Sequence, residues 1–140
     1  MIKNLSFVTI IIVLFSGCMA SNYNEMINDD SVKKKTFTIN ENYQSLYKRG
    51  VSKVEECHEQ GLLTAAITSD SNIYSEIKEA NITVYLMGGL GKQMHHAISF
   101  KGNQDNTTKL DVYSYFGDET VDILKKEITG ECKVCFCKEN

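Results

Sequence analysis

The residues with the clearest chemical potential are three cysteines near the C-terminus, which follow the pattern Cys132-x2-Cys135-x-Cys137. Thiolates at this spacing are common ligands of zinc and copper, and closely spaced dithiols also carry redox chemistry. The same residues can instead form structural disulfides. The pattern therefore leaves a metal-binding or thiol-redox module at Cys132, Cys135 and Cys137 as an alternative to a purely structural role.

A metal site at this cluster would recruit one of the three histidines, His58, His95 or His96, as a further ligand. His95 and His96 are neighbours in a predicted strand, so their side chains should point to opposite faces of the sheet. His96 shares the apolar face of that strand, where a packed core histidine is the simpler interpretation. Zinc ribbons also need a second Cys-x2-Cys pair, which the sequence lacks. We therefore expect no metal and no other cofactor.

Another cysteine, Cys18, follows an apolar stretch at the N-terminus. Lys3 supplies a positive charge, and residues 5–15 are almost all apolar. A helix of this length rises about 16 Å, roughly half of a bilayer core. The stretch is therefore typical of the hydrophobic region of a signal peptide and too short for a membrane span.

The run Leu-Phe-Ser-Gly-Cys that ends at Cys18 resembles a lipobox, in which small residues precede a cysteine that accepts lipid. We predict that residues 1–17 are a lipoprotein signal peptide. Acyl chains such as palmitate on Cys18 would then anchor the protein in the lipid bilayer, because two or more chains hold stably. Met19 in place of Asp indicates the outer membrane, facing the periplasm or the cell surface. The alternative is cleavage after Ala20, which would release a soluble periplasmic protein.

Downstream of the anchor, residues 18–35 are polar and show no period, which predicts a lipidated N-terminus and a flexible tether of roughly 20–25 Å. Residues 36–140 form the predicted single domain with a disulfide-bearing C-terminal tail. An amphipathic pattern predicts a helix of about 20 residues from Asn40 to Gly61, and a period of two follows. A second predicted helix covers 118–128.

These elements predict an α+β fold: an antiparallel sheet of four or five strands with a long N-terminal helix and a shorter C-terminal helix packed on one face. The chain has 140 residues and a formal net charge of −3, so it lacks the basic footprint of a nucleic-acid-binding protein. The sequence contains no recognisable catalytic set. The favoured function is a non-enzymatic envelope lipoprotein that acts through contacts with another envelope protein.

In an exported protein the cysteines other than Cys18 should be oxidised, and four cysteines allow three full pairings. Position favours a bridge between Cys57, on the apolar stripe of the first predicted helix, and Cys132, just after the second. Cys135 and Cys137 would then lie in a polar tail. A Cys135–Cys137 bridge would close a small, reducible ring, which keeps the redox alternative open.

Several short runs also carry a resemblance: Asn42–Tyr47, Cys57, Thr68–Tyr74, Ile82–Val84 and Thr129–Cys132. Over roughly residues 36–132 the chain resembles a family of small uncharacterised proteobacterial lipoproteins. The resemblance implies a lipoprotein with a Cys57–Cys132 bridge and implies no particular activity. Cys135 and Cys137 lie beyond the family pattern and could compete for Cys57.

Overall fold

The computed structural model describes residues 19–61 and 63–136. The predicted signal peptide, Cys18 and Cys137 lie outside these residues. In chain order the elements are α1 (Tyr23–Ile27), β1 (Lys33–Ile39), α2 (Tyr43–Cys57), β2 (Gln60–Gly61), β3 (Ala66–Tyr74), a 3₁₀ turn (Ser75–Ile77), β4 (Glu79–Gly88), β5 (Gly91–Gly102), β6 (Thr108–Ser114) and α3 (Asp118–Thr129).

The strands form one antiparallel sheet in the order β1-β6-β5-β4-β3-β2. The central strands β4, β5 and β6 are largely buried. The edge strand β1 begins with three lysines, and charged side chains on an edge discourage pairing with other chains. Near the opposite edge of the sheet, the second half of β3 is polar and exposed. A strand near an edge tolerates polar residues because only part of the strand is covered.

The helices α2 and α3 pack on one face of this sheet. The side chain of Asn42 caps α2 by accepting a hydrogen bond from the Gln44 N–H at 2.9 Å. A Cβ on Gly50 would lie 3.1 Å from side-chain atoms of Ile82 and Phe100, so the missing side chain lets α2 lie close to the sheet. The core between helices and sheet includes Leu46, Val54, Ile82, Ile98, Phe100, Leu110, Val112, Val121, Leu124 and Ile128.

Residues 19–32 cover the opposite face of the sheet. Met26 of α1 is fully buried in a second apolar cluster formed with Tyr85, Met94, Ala97 and Tyr113. The backbone of Ala20 is tied to the sheet as well: its carbonyl accepts from the Met94 N–H at 2.8 Å. Hydrogen bonds and burial therefore hold this segment against the domain.

The flexible tether predicted for 18–35 is wrong over its described part, 19–35. Residues 19–32 pack on the sheet, and the lysine run belongs to β1. Polar composition was misleading because α1 has one turn and buries chiefly Met26, too few residues to produce an amphipathic period. An edge strand can likewise carry lysines without losing its backbone hydrogen bonds.

The predicted fold class is also wrong. The sheet has six strands instead of four or five, and both of its faces are covered. The first predicted helix has 15 residues instead of about 20, and it follows β1, so no long helix begins the described chain. It ends at Cys57, with the buried His58 as its C-cap residue, and Gly61 lies in β2.

Candidate functional site

A cavity of about 340 Å³ lies beside the end of β6 and the first turns of α3, and its walls are mostly apolar. All three histidines of the sequence line it. The aromatic rings of Phe116 and Phe136 stand at its rim, each about half exposed. The remaining wall residues are Gln60, Ile67, Val84, Thr120 and Ile123.

A β-bulge places His95 and His96 on the same side of the sheet, contrary to the prediction from strand alternation. The register between β4 and β5 shifts between Val84, which pairs with His96, and Tyr85, which pairs with Met94. His95 is therefore the extra residue of the bulge, and both rings turn towards the cavity. Their centroids lie 6.1 Å apart, while Met94 packs on the other face with Ala97.

His96 is held in place by the end of β6. Its Nδ1 lies 3.1 Å from the Ser114 hydroxyl, which also accepts a hydrogen bond from the Phe116 N–H at 3.0 Å. Burial of the ring, with lesser contributions from His58 and His95, lowers the pKa of His96 from 6.5 to about 3. The ring is therefore uncharged at neutral pH. Burial also lowers the pKa of His95.

His58 reaches the cavity from the end of α2. Its backbone N–H bonds to the Val54 carbonyl at 2.9 Å, and its ring nitrogen Nε2 lies 2.8 Å from Oε2 of Glu127. Both side chains are almost fully buried. The other carboxylate oxygen of Glu127 accepts a bond from the Phe136 N–H at 2.6 Å. Glu127 thus joins α2, α3 and the C-terminal segment at one point.

The C-terminal segment is fastened by a disulfide between Cys57 and Cys135, whose Cα atoms are 5.1 Å apart. The predicted Cys57–Cys132 bridge is therefore not formed, and Cys132 is itself disulfide-bonded. The Cys132 N–H bonds to the Lys126 carbonyl, which keeps Cys132 beside α3. The chain needs the next three residues to reach α2, so Cys135 makes the bridge.

This pairing places Phe136 over the cavity, with its ring centroid 5.2 Å from that of His58. The cysteine cluster proposed as an alternative metal or redox site does not present free thiols at Cys132 or Cys135. No three side chains of the metal-ligating types lie close enough to hold an ion within residues 19–61 and 63–136. The predicted lipidation residue Cys18 and the cluster residue Cys137 lie outside the described chain.

Sequence reasoning missed Ser114, Phe116, Glu127 and Phe136. Glu127 carried a usable signal, because it follows Leu124 by three residues on the apolar side of α3, where a carboxylate must find a buried partner. Ser114 is fully buried beneath His96, so its hydroxyl cannot act as a nucleophile on a ligand in the cavity. The arrangement is suited to binding: apolar walls, rings in edge-to-face contact and a few oriented polar atoms.

Within the described residues, no helix has the length and apolar character needed to cross a membrane. No protein-family model matches the sequence, and no curated protein matches it.

Among solved structures, the chain is similar to one titled "Crystal structure of the di-domain ARO/CYC StfQ from the steffimycin biosynthetic pathway". The TM-score is 0.41 and the identity 13%, over 70% of this chain and 42% of that one. The chain thus spans less than half of that protein. A similarity at this level does not indicate a function.

Proposed function

We propose that this protein is a lipid-anchored envelope protein, without enzymatic activity, that binds a small and largely apolar ligand in the histidine-lined cavity. The observation that carries the proposal is the cavity itself: about 340 Å³, with mostly apolar walls and a few polar atoms. Ligand sites are typically clefts of roughly 300–1,000 Å³ with this composition, so this cavity suits a small ligand.

The aromatic rim supports a binding role. Phe116 is 54% exposed and Phe136 is 50% exposed, and both line the cavity. Exposed aromatic rings that converge on a cavity offer a ligand both apolar contact and edge-to-face stacking. The Cys57–Cys135 disulfide and the bond to Glu127 hold Phe136 in this position.

Two features support export and anchoring. Disulfides persist in oxidising compartments such as the periplasm or the cell surface, and Cys57 forms one with Cys135. The lipobox-like run ends at Cys18, two residues before Ala20, which is bonded to Met94 beside His95. An anchor at Cys18 would therefore hold the cavity end of the sheet close to the lipid headgroups, from which an apolar ligand could enter.

The test of binding uses the neutral fluorescent probe N-phenyl-1-naphthylamine and the oxidised mature protein. Thr120→Trp places a large side chain at the cavity wall, and Leu90→Trp places the same side chain in the β4–β5 turn, where Leu90 is 91% exposed. We expect saturable binding that Thr120→Trp weakens at least about tenfold and Leu90→Trp leaves unchanged. Equal affinities for the two variants, or no saturable binding, would contradict the proposal.

Anchoring is tested separately by Cys18→Ala. We expect this variant to leave the membrane fraction or to accumulate as the unprocessed precursor, because it cannot accept the acyl chains. A Cys18→Ala protein that is normally shortened and still membrane-bound would show that the lipoprotein assignment is incorrect. That result would leave the cavity's binding role intact, since the two experiments have different readouts.

A further inference from the structure

We infer that the cavity selects uncharged, planar aromatic ligands that carry a hydrogen-bond acceptor beside a donor, as an aryl carboxamide does. The inference rests on the proposed function and adds the chemical class of the ligand. Two ring nitrogens, on the cavity-lining residues His96 and His58, carry it.

The first atom is Nε2 of His96, which acts as a donor. The Ser114 hydroxyl already accepts the Phe116 N–H, so its own proton is available for Nδ1 of His96 at 3.1 Å. An imidazole that accepts at Nδ1 keeps its single proton on Nε2. Every buried side-chain nitrogen and oxygen among the described residues has a partner. Nε2 forms no bond to the described residues, so it must reach open space, which the cavity supplies.

The second atom is Nδ1 of His58, which acts as an acceptor. Glu127 accepts one bond from the Phe136 N–H and therefore needs a second donor for its other oxygen. That donor is Nε2–H of His58, and in the Nε2–H tautomer of the ring Nδ1 offers a lone pair. The centroids of His58 and His96 are 5.7 Å apart. A carboxamide that bridges the two rings would turn its oxygen towards His96 and its N–H towards His58.

The charges around the cavity exclude ionic ligands. No lysine or arginine is among the lining residues, and His96 is uncharged at neutral pH. A carboxylate in the cavity would therefore be buried without a cation and close to Glu127. A cationic ligand would gain little from Glu127, because both carboxylate oxygens already accept bonds. Burying an unpaired charge is costly, so a neutral ligand is preferred.

The aromatic rings of the cavity wall favour a flat ligand. His58, His96, Phe116 and Phe136 are linked by edge-to-face contacts with centroid separations of 5.2–5.7 Å. All four rings line the cavity. A planar ring can insert among them with offset or edge contacts.

The experiment measures binding of 2-naphthamide, 2-naphthoate and 2-naphthamidine, which have the same shape and differ in charge, by calorimetry at pH 7. The apolar reference is 2-methylnaphthalene. We expect the amide to bind at least about tenfold more tightly than either ion. Equal or tighter binding of an ion would overturn the inference while leaving the proposed function in place. Failure of all four compounds to bind would overturn the proposed function itself.

The donor role of His96 is tested by His96→Asn, whose side-chain oxygen can still accept from Ser114 but which lacks the Nε2 donor. We expect this variant to bind 2-naphthamide about fivefold more weakly, the effect of one hydrogen bond, and 2-methylnaphthalene equally well. Leu90→Asn, in the exposed β4–β5 turn away from the cavity, is the control and should change both affinities less than twofold. An unchanged amide affinity in a folded His96→Asn protein would count against the assignment.

A measurement on the unmodified protein keeps the inference testable if a variant fails to fold. Correlation spectra of the imidazole nitrogens report which nitrogen carries the proton. We expect His96 to be protonated at Nε2 alone near pH 7. A proton on Nδ1 would overturn the donor assignment, whatever the affinities of the variants.

Discussion

Acidification should destabilise this fold well above the pH at which carboxylates titrate. The cause is His96, whose pKa is about 3 in the folded protein against 6.5 for an unperturbed imidazole. The folded pKa is depressed, so below pH 6.5 the unfolded chain binds a proton that the folded chain excludes. Stability is therefore fully present above about pH 6.5 and is lost as the pH falls towards 3.

The size of the effect follows from the two pKa values. At pH 5 the unfolded imidazole is almost wholly protonated and the folded one is neutral, which lowers the free energy of unfolding by about 2 kcal/mol. The lowered pKa of His95 acts in the same direction. Carboxylates with lowered pKa values, such as Asp70 and Glu131, lose their stabilising effect only at lower pH, so the imidazoles dominate between pH 7 and 5.

Urea denaturation at pH 7, 6 and 5 measures the free energy of unfolding directly, by linear extrapolation. We expect the unmodified protein to lose about 2 kcal/mol over this range. His96→Asn should lose much less, because it has no group to titrate at that position. His95→Asn, the matched control, should behave nearly as the unmodified protein, since His95 is only partly buried.

A His96→Asn protein with the same pH dependence as the unmodified protein would refute this reasoning, whatever its stability at pH 7. Greater stability of the unmodified protein at pH 5 than at pH 7 would do so as well, because the sign of the linkage would then be reversed.

Two further perturbations test the packing. Cys57→Ser combined with Cys135→Ser removes a disulfide between residues 78 apart in sequence, and chain entropy predicts a loss of about 4.5 kcal/mol in the free energy of unfolding. Calorimetry should show a much lower melting temperature, together with weaker probe binding. An unchanged melting temperature would exclude a structural role for this disulfide. Met26→Ala should lower the free energy of unfolding by about 2–5 kcal/mol, because Met26 is fully buried. Urea denaturation measures this against the control Leu90→Ala, which should change the free energy of unfolding by less than about 0.5 kcal/mol. Equal effects of the two substitutions would show that α1 does not pack as described.

Much of the local structure was readable from the sequence because it depends on neighbouring residues. The C-terminal helix spans Asp118–Thr129, close to the predicted 118–128, and ends at Gly130 in the left-handed conformation. The period of two in the second half of the chain likewise predicted strands where β4, β5 and β6 are found. The signal-peptide and lipidation predictions stay predictions, since residues 1–18 lie outside the described chain.

The binding site could not be predicted in this way, because it depends on register and on contacts between distant segments. Strand alternation assigns His95 and His96 to opposite faces, and only a bulge against β4 brings them together. Spacing along α2 and α3 also cannot tell whether Cys132 or Cys135 meets Cys57, since that depends on the path of a few residues after α3.

By itself, then, the sequence determined the helix periods, the strand-rich second half and the oxidisable cysteines, all of which follow from residue type and short-range spacing. Only the tertiary structure decided that residues 19–32 cover the second face of the sheet, that Cys135 is the partner of Cys57 and that three histidines share one cavity. The physical reason is that these features depend on which distant backbones pair and pack, and a single buried side chain such as Met26 leaves no periodic signal.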